Sequence, residues 1–235
     1  MHSPQHRLVK CVALALAVLL LSVAALVPVS ALEPYGNNIR IRNWVNNDPA
    51  YTFSEQYMTS VWYRNFSALA LTANPRNNVL RIALSQLGYH EGDSTKDFDG
   101  MNKSGSSNYI EYARLIVPNY NDNHYEWCAC FVSWCADQCG YLDSGTYPKF
   151  SGCVFGMQWF QQRGLWLDGS TEPAPGMLIF FDWATRDGVP DHVGIVEKVE
   201  DGIVYTVEGN SRDMCRQKQY SLGSSVILGY GMPAV

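Results

Sequence analysis

Residues 127–134 read Trp-Cys-Ala-Cys-Phe-Val-Ser-Trp, an apolar run with a cysteine near its start. The pattern predicts a buried helix over 127–139 that ends at Gly140. Cys128 would then lie in the first helical turn, where unpaired backbone N–H groups and the helix dipole favour negative charge. Such a position lowers the pKa of a thiol. The stretch therefore predicts a nucleophilic cysteine at the start of a helix.

A β-hairpin is predicted further along the chain, with strands over 193–199 and 203–208. The tripeptide Glu-Asp-Gly at 200–202 suits a three-residue turn with glycine in the left-handed conformation. This turn pairs Val199 with Ile203. A shift of one residue would turn every side chain to the opposite face, so the expected register depends on the type of turn.

The predicted register places a base and its partners on one face of the hairpin. Counting outward from the turn, Gly194 faces Glu208. Two steps further, His192 faces Asn210. Directly opposed residues of antiparallel strands project to the same face, so His192, Glu208 and Asn210 are expected within reach of one another. With a cysteine earlier in the chain, they give a nucleophile, a base and an orienting group.

The chemistry expected of this set is acyl transfer through a thiolate. Cys128 would attack a carbonyl carbon, and His192 would hold the thiolate as an ion pair and later protonate the leaving amine. Glu208, Asn210 or both would orient the imidazole. The backbone N–H of Cys128 is the expected first oxyanion donor, and Tyr125 is a candidate for the second.

Three motifs in this order resemble the CHAP family, the cysteine- and histidine-dependent amidohydrolases and peptidases. The motifs are Glu-Trp-Cys-Ala-Cys-Phe-Val-Ser-Trp-Cys-Ala at 126–136, Asp-His-Val-Gly-Ile-Val at 191–196 and Val-Glu-Gly-Asn-Ser at 207–211. The resemblance extends from about residue 77 to residue 233. It implies a papain-like fold, in which N-terminal helices pack on a small antiparallel β-sheet in an α+β arrangement.

The resemblance also implies roles and a substrate. It makes Cys128 the nucleophile, His192 the base, Glu208 the acidic third residue and Asn210 a polar neighbour. Because the family consists largely of cell-wall hydrolases, the implied reaction is cleavage of an amide bond in peptidoglycan. The bond is either the one between N-acetylmuramic acid and L-alanine or one within the peptides. Two alternatives stay open, namely a secreted cysteine protease acting on proteins and a non-catalytic wall-binding module.

The start of the chain predicts an export signal over residues 1–31. Arg7 and Lys10 give a basic beginning, residues 11–27 form an apolar run, and Val-Ser-Ala at 29–31 suits a cleavage site. The alternative is an uncleaved membrane anchor, since 17 residues reach the short limit of a bilayer span. A cleaved signal implies a secreted, extracellular or wall-associated protein that contacts the membrane only transiently.

Composition excludes several other classes of partner. Without residues 1–31, 15 Lys and Arg stand against 22 Asp and Glu, a formal net charge of −7. No basic stripe could neutralise a phosphate backbone, so nucleic acid is excluded as a partner. No phosphate-binding glycine loop or dinucleotide fingerprint is present, and no cofactor is expected. Nothing in the sequence indicates an oligomeric state.

The chain has six cysteines after residue 31, and four of them lie in the predicted helix over 127–139. Their spacing, Cys-x-Cys-x4-Cys-x3-Cys, matches no common zinc pattern, so no metal site is expected. A Cys135–Cys139 bridge would be strained because residues four apart on a helix project in parallel. Cys153 with Cys215 is the one pair considered for a disulfide. Most of the cysteines are expected to be small buried residues.

Helices followed by an antiparallel sheet predict an α+β layout. Residues 32–76 are expected to be an N-terminal extension, with an amphipathic helix over 52–71 that begins at a Thr52-x-x-Glu55 capping box and docks on the domain. Residues 77–235 form the expected catalytic domain. Its further predicted elements are helices over 74–87 and 109–116, strands over 177–183 and 226–230, and loops over 89–108 and 140–172.

Overall fold

The computed structural model describes residues 52–117 and 125–233. The expected export signal and the first part of the extension, residues 1–51, lie outside the described residues. Within the described part the prediction of an α+β fold is confirmed, because six helices are followed by a six-stranded antiparallel sheet. None of the helices described here is long and apolar enough to cross a membrane.

The helices precede the strands in the chain, and the last of them ends at Gln162. They are α1 (Glu55–Thr59), α2 (Val61–Ser67), α3 (Pro75–Ser85), α4 (Glu111–Ile116), α5 (Cys128–Asp137) and α6 (Cys153–Gln162). The strands follow as β1 (Trp166–Asp168), β2 (Leu178–Phe181), β3 (His192–Glu200), β4 (Ile203–Glu208), β5 (Arg216–Ser221) and β6 (Ile227–Gly231).

The centre of the domain is α5, all ten residues of which are buried. The sheet has the order β1-β6-β2-β3-β4-β5, and every neighbouring pair is antiparallel. In β2, Leu178 and Phe180 belong to the core cluster that contains α5, whereas Ile179 and Phe181 belong to a second cluster. Both faces of β2 are therefore covered, which explains its continuous apolar sequence.

Between residues 52 and 71 the chain forms two short helices, so the prediction of one helix over this range is wrong. Ser60 separates α1 from α2, and its hydroxyl oxygen accepts the Tyr63 N–H as the N-cap of α2. The N-cap of α1 is Ser54, whose hydroxyl accepts the Tyr57 N–H, and the predicted Thr52 capping box is therefore wrong. The expected docking does occur, since Trp62 is buried in the same core cluster as α5.

The β3–β4 hairpin reaches the predicted outer register by a different route. Glu200 pairs with Ile203, so the turn has two residues instead of the predicted three. Asp201 and Gly202 have φ values of 51° and 73°, as in the type I′ turn that twisted hairpins favour. A bulge between Val196 and Lys198 then absorbs the one-residue offset. Ile195 consequently pairs with Val207, as the sequence predicts.

Two regions predicted as loops contain ordered structure. The segment 89–108 is only partly on the surface, because Tyr89, His90, Glu91 and Phe98 are buried. The segment 140–172 contains α6 and β1. Helix α6 lacks a side-chain N-cap, and Gly152 occupies that position, so the usual sequence signal for its start is missing.

Candidate active site

The candidate nucleophile, Cys128, is the first residue of α5 and is 4% exposed. The residue before it, Trp127, is fully buried and donates its indole N–H to Glu91 Oε2 at 2.7 Å. The other Glu91 oxygen accepts the Asn108 N–H at 2.9 Å. Glu91 therefore fixes the start of α5 from the segment at 89–108. No local pattern of residues indicates this contact, because Glu91 lies in a polar stretch.

The candidate base, His192, is the first residue of β3 and is 5% exposed. Interactions with the His192 ring and with the backbone N–H of Val193 lower the pKa of the Cys128 thiol. Both of these interactions come from the start of β3. The structure thus brings together the two residues that the sequence predicts as nucleophile and base.

The third residue, Glu208, is the last residue of β4 and is fully buried. Its Oε2 lies 3.1 Å from His192 Nε2. This contact leaves the other ring nitrogen, Nδ1, to face Cys128. Glu208 Oε1 accepts two hydroxyl hydrogen bonds, from Thr206 at 2.6 Å and from Tyr220 at 2.9 Å. The carboxylate is therefore held on both oxygens, and Thr206 and Tyr220 are contacts that the sequence analysis did not identify.

Two glycines make room for this arrangement. A Cβ atom at Gly194 would lie 2.8 Å from Glu208 Cγ, and one at Gly209 would lie 2.6 Å from Phe131 Cβ. Real Cβ atoms do not approach other atoms so closely. Gly194 therefore leaves space for the Glu208 side chain, and Gly209 allows the end of β4 to lie against α5.

Asn210 occupies a different place from the predicted one. Its side-chain amide donates to the Glu126 carboxylate. Strand β4 ends at Glu208, and Asn210 has a φ of 55°, so the chain has left the register that would set Asn210 opposite His192. The contact with His192 is therefore made by Glu208, and a role for Asn210 in orienting the imidazole stays a prediction.

An aromatic ring covers the imidazole. The Trp183 ring stacks on His192 with a centroid distance of 4.7 Å and an interplanar angle of 24°. Asp191 Oδ2 accepts the backbone N–H groups of Trp183 at 2.6 Å and Ala184 at 2.8 Å, which holds the segment after β2 in place. Trp183 is 41% exposed, so it separates the His192 ring from solvent.

The pKa values of the pair move in opposite directions. A hydrogen bond from Cys153, together with the contacts to His192 and Val193, holds the pKa of Cys128 well below its ordinary value, although burial acts the other way. Burial disfavours a charged His192, but its contacts with Cys128 and Glu208 outweigh that effect and raise its pKa to about 10. The arrangement favours a thiolate beside an imidazolium.

Cys153 is the first residue of α6, and its sulfur lies 3.7 Å from the Cys128 sulfur. This contact and burial raise the pKa of the Cys153 thiol. Cys215 lies elsewhere, with its sulfur 3.8 Å from the Tyr112 hydroxyl. The structure therefore does not bring together Cys153 and Cys215, the pair considered for a disulfide. The chain positions of these cysteines could not show it, because the helix that carries Cys153 was not predicted.

The remaining thiols of α5 are core residues, as expected. Burial raises the pKa of Cys130 to about 12, and burial also raises the pKa of Cys135. Among residues 52–117 and 125–233, no group of three His, Cys, Asp or Glu side chains is arranged to hold a metal ion. Tyr125, the candidate second oxyanion donor, is 48% exposed, and that role stays a prediction.

Comparison with known proteins gives one family. Residues 120–210, which contain Cys128, His192, Glu208 and Asn210, match the CHAP domain. No curated protein matches the chain. Among solved structures, the chain is similar to the crystal structure of Ly7917, with 16% identity and a TM-score of 0.41 over 68% of this chain and 62% of that one.

The crystal structure of Ly7917 with the hydrolyzing product of MDP gives 16% identity and a TM-score of 0.40 over 67% of this chain and 62% of that one. The chain therefore spans about 62% of the length of these structures.

Proposed function

Because residues 120–210 match the CHAP domain, we propose that the protein hydrolyses an amide bond in peptidoglycan through a cysteine thiolate. The observation that carries the proposal is the continuous line of contacts from the Cys128 sulfur through the His192 ring to the Glu208 carboxylate. The opposite pKa displacements of Cys128 and His192 support the same reading, since a buried ion pair of this kind is the working form of a thiol nucleophile.

In the proposed first half-reaction, the Cys128 thiolate attacks the amide carbonyl carbon. The oxygen gains negative charge, which the backbone N–H of Cys128 is placed to stabilise because the first N–H groups of a helix have no partner within it. His192 gives its proton to the amide nitrogen as the carbon–nitrogen bond breaks. The amine leaves, and the acyl group stays on Cys128 as a thioester.

In the second half-reaction, neutral His192 takes a proton from water, and the resulting hydroxide attacks the thioester carbon. The carbon–sulfur bond breaks, the carboxylic acid product leaves and the thiolate–imidazolium pair is restored. Glu208 keeps the ring oriented through both steps and stabilises its charge. The stacked ring of Trp183 restricts the orientation of His192 further.

The choice of bond is part of the proposal. The family resemblance favours either the N-acetylmuramoyl-L-alanine amide or a peptide bond of the stem or cross-bridge. An amidase produces free lactyl carboxyl groups and peptides that begin with L-alanine, whereas an endopeptidase produces new amino termini within the peptides and leaves the lactyl–alanine amide intact. Residues 1–31 are proposed to direct export, which would deliver the domain to this substrate.

The proposal is tested by digesting insoluble peptidoglycan with the purified protein and identifying the soluble products by mass spectrometry. Cys128→Ala is expected to release nothing. Cys130→Ala, which changes a buried thiol on the same helix, is expected to release the same products as the unaltered chain. Full activity in Cys128→Ala would overturn the proposal.

Other outcomes identify the alternatives. Cleavage of casein without release of wall fragments would favour a secreted protease. Binding to peptidoglycan without any cleavage, together with no labelling of Cys128 by a thiol reagent at neutral pH, would favour a binding module.

A further inference from the structure

The contact between Cys128 and Cys153 joins the starts of two helices. Each cysteine is the first residue of a ten-residue helix, α5 or α6, and the two sulfur atoms are 3.7 Å apart. We propose that Cys128 and Cys153 are a disulfide-forming site, at which oxidation by a peroxide links the two sulfurs and masks the nucleophile. The loss of hydrolysis on oxidation rests on the proposed function, whereas the disulfide itself does not.

The geometry suits formation of this bond. A disulfide joins sulfur atoms about 2.05 Å apart, so the two thiols need to approach by a further distance of about 1.7 Å. Rotation about the bond between Cα and Cβ moves each sulfur. Both residues stand where a helix begins, and the residues just before Cys128 and Cys153 are not helical. Small backbone adjustments there leave the helical hydrogen bonds beyond the first turn intact.

Reactivity selects the same pair. The pKa of Cys128 is lowered, first by the hydrogen bond from Cys153, and a thiolate reacts with peroxide far faster than a thiol. Burial raises the pKa of Cys130, Cys135 and Cys215, which keeps these thiols protonated.

Exposure points the same way. Cys128 and Cys153 are 4% and 9% exposed, whereas Cys130 and Cys135 are fully buried. A small oxidant such as hydrogen peroxide can therefore reach the pair from solvent more readily than it can reach the other two.

The chemistry balances in two steps. The Cys128 thiolate attacks one peroxide oxygen, the O–O bond breaks and hydroxide leaves, so that sulfur is oxidised to a sulfenic acid and the hydroxide takes a proton to become water. The Cys153 sulfur then attacks the Cys128 sulfur, the S–O bond breaks, and the departing hydroxide takes the Cys153 proton to form a second water. One peroxide and two thiols give one disulfide and two waters.

The pairing also explains what Cys153 contributes beyond its hydrogen bond. A sulfenic acid with no neighbouring thiol proceeds with more peroxide to sulfinic and sulfonic acids, which thiol reductants do not reverse. With Cys153 in contact, the sulfenic acid is captured as a disulfide that reductants do reverse. Oxidation of this site is therefore expected to be a reversible block instead of permanent damage.

The test uses the purified full chain, reduced, then treated with hydrogen peroxide near neutral pH and blocked with N-ethylmaleimide. Peptide mass spectrometry is expected to find the Cys128 and Cys153 peptides linked, with the loss of two hydrogen atoms. Peptidoglycan hydrolysis is expected to be lost and to return to its starting rate with dithiothreitol. Cys130→Ala is the matched control and should form the same link.

Cys153→Ser removes the capturing thiol. In this variant Cys128 is expected to reach the sulfinic acid, and dithiothreitol should not restore hydrolysis. If the unaltered chain shows no Cys128–Cys153 link, or if Cys153→Ser recovers with reductant as fully as the unaltered chain, the proposed site is overturned. The link in the unaltered chain decides the matter even where the variant fails to fold.

The two proposals fail in distinguishable ways. A linked pair in a protein that hydrolyses no peptidoglycan in either redox state would overturn the proposed function and leave the disulfide site standing. Hydrolysis by reduced protein without any link after oxidation would overturn the disulfide site alone.

Discussion

Two clusters of buried polar side chains pack against α5. One cluster favours the charged forms of its side chains, whereas the other keeps its side chains neutral. The first cluster consists of Cys128, His192 and Glu208, and we call it the catalytic corner after the role proposed for it. The tyrosine cluster consists of Tyr57, Gln86 and Tyr112, in which both hydroxyl groups donate to Gln86 Oε1, at 2.9 Å and 3.1 Å. All of these side chains are nearly or fully buried.

In the tyrosine cluster, burial raises the pKa values of Tyr57 and Tyr112 well above their ordinary value, so both hydroxyls stay neutral. In the catalytic corner, burial acts against charge in the same way, but each ionisable group faces a partner of opposite charge. Burial alone therefore does not make a thiol reactive. A buried thiolate also needs a second buried group of opposite charge that stabilises it.

The sharpest measure of this comparison is selective alkylation of the cysteines. Contacts with Cys153 and His192 hold the pKa of Cys128 well below its ordinary value, whereas burial raises the pKa of Cys130 to about 12, so Cys130 is almost wholly protonated at pH 7. Iodoacetamide is expected to modify Cys128 at least about 1,000-fold faster than Cys130 in the folded protein. Peptide mapping after short labelling times measures the two rates, and similar rates would remove the distinction between the two environments.

The same ion pair gives stability a defined dependence on pH. The pKa of His192 is raised from 6.5 to about 10, so the stability that its protonated form contributes is complete below pH 6.5 and is lost as pH rises through about 10. The pKa of Cys128 is lowered from 9.0, so the stability that its thiolate contributes is present above pH 9 and is lost as pH falls through the lowered pKa. Hydrolysis is expected to decline above pH 10, where His192 no longer carries a proton for the leaving group.

Loss of charge at Glu208 is expected to have the next largest effect. Glu208→Gln keeps the shape of the side chain but no longer stabilises the imidazolium, and an amide can hold the ring in the wrong tautomer. Hydrolysis should fall about 100- to 10,000-fold. The melting temperature should fall as well, because the buried imidazolium loses a partner of opposite charge. Glu197→Gln changes a carboxylate at the bulge of the same hairpin and should keep full activity. An active Glu208→Gln protein would show that contact with His192 does not require charge.

The matching change in the tyrosine cluster is Gln86→Leu. Two buried hydroxyls lose their shared acceptor, so the free energy of unfolding is expected to fall by about 2–4 kcal/mol. Urea denaturation measures this change. The rate of hydrolysis per folded molecule should stay the same, because the cluster keeps its members neutral and takes no part in the chemistry. A lower rate in fully folded Gln86→Leu would show that the tyrosine cluster contributes to hydrolysis.

Local patterns in the sequence predicted much of this site. The apolar run that begins at Cys128 is the buried helix α5, and His192 and Glu208 lie in contact as the hairpin argument requires. The predicted length of the turn was nevertheless wrong by one residue. The bulge before Lys198 offsets this difference, so the pairing beyond the bulge is the predicted one. Such a bulge depends on how the sheet twists over its neighbours, which a count of residues along two strands does not contain.

The contacts that the sequence did not reveal come from elements without local signals. Cys153 belongs to α6, which has no side-chain N-cap. Tyr220 belongs to β5, in which none of the residues is fully buried. Glu91 lies in a polar segment whose buried residues are held by bonds such as the one from Trp127. Only the packing of distant segments brings these residues to the catalytic corner.

Tyr220→Phe is expected to have the smallest effect. It tests how much a hydrogen bond to Glu208 contributes to the rate of hydrolysis. Tyr220 donates to Glu208 Oε1, and the Thr206 hydroxyl remains on the same oxygen when the tyrosine hydroxyl is removed. The contact of Oε2 with His192 is not touched, so the loss is one net hydrogen bond of about 1 kcal/mol, or about 3- to 10-fold in the rate of hydrolysis. Because the Tyr220 hydroxyl draws negative charge away from His192 on Glu208, its loss should also raise the pKa of His192 slightly, since the carboxylate then attracts the imidazolium proton more strongly. The alkaline limb of the pH–rate profile is therefore expected to move to higher pH in Tyr220→Phe and to stay in place in Tyr205→Phe, a change on the neighbouring strand. A lower rate without any movement of that limb would assign Tyr220 to packing of the sheet instead of to support of the carboxylate.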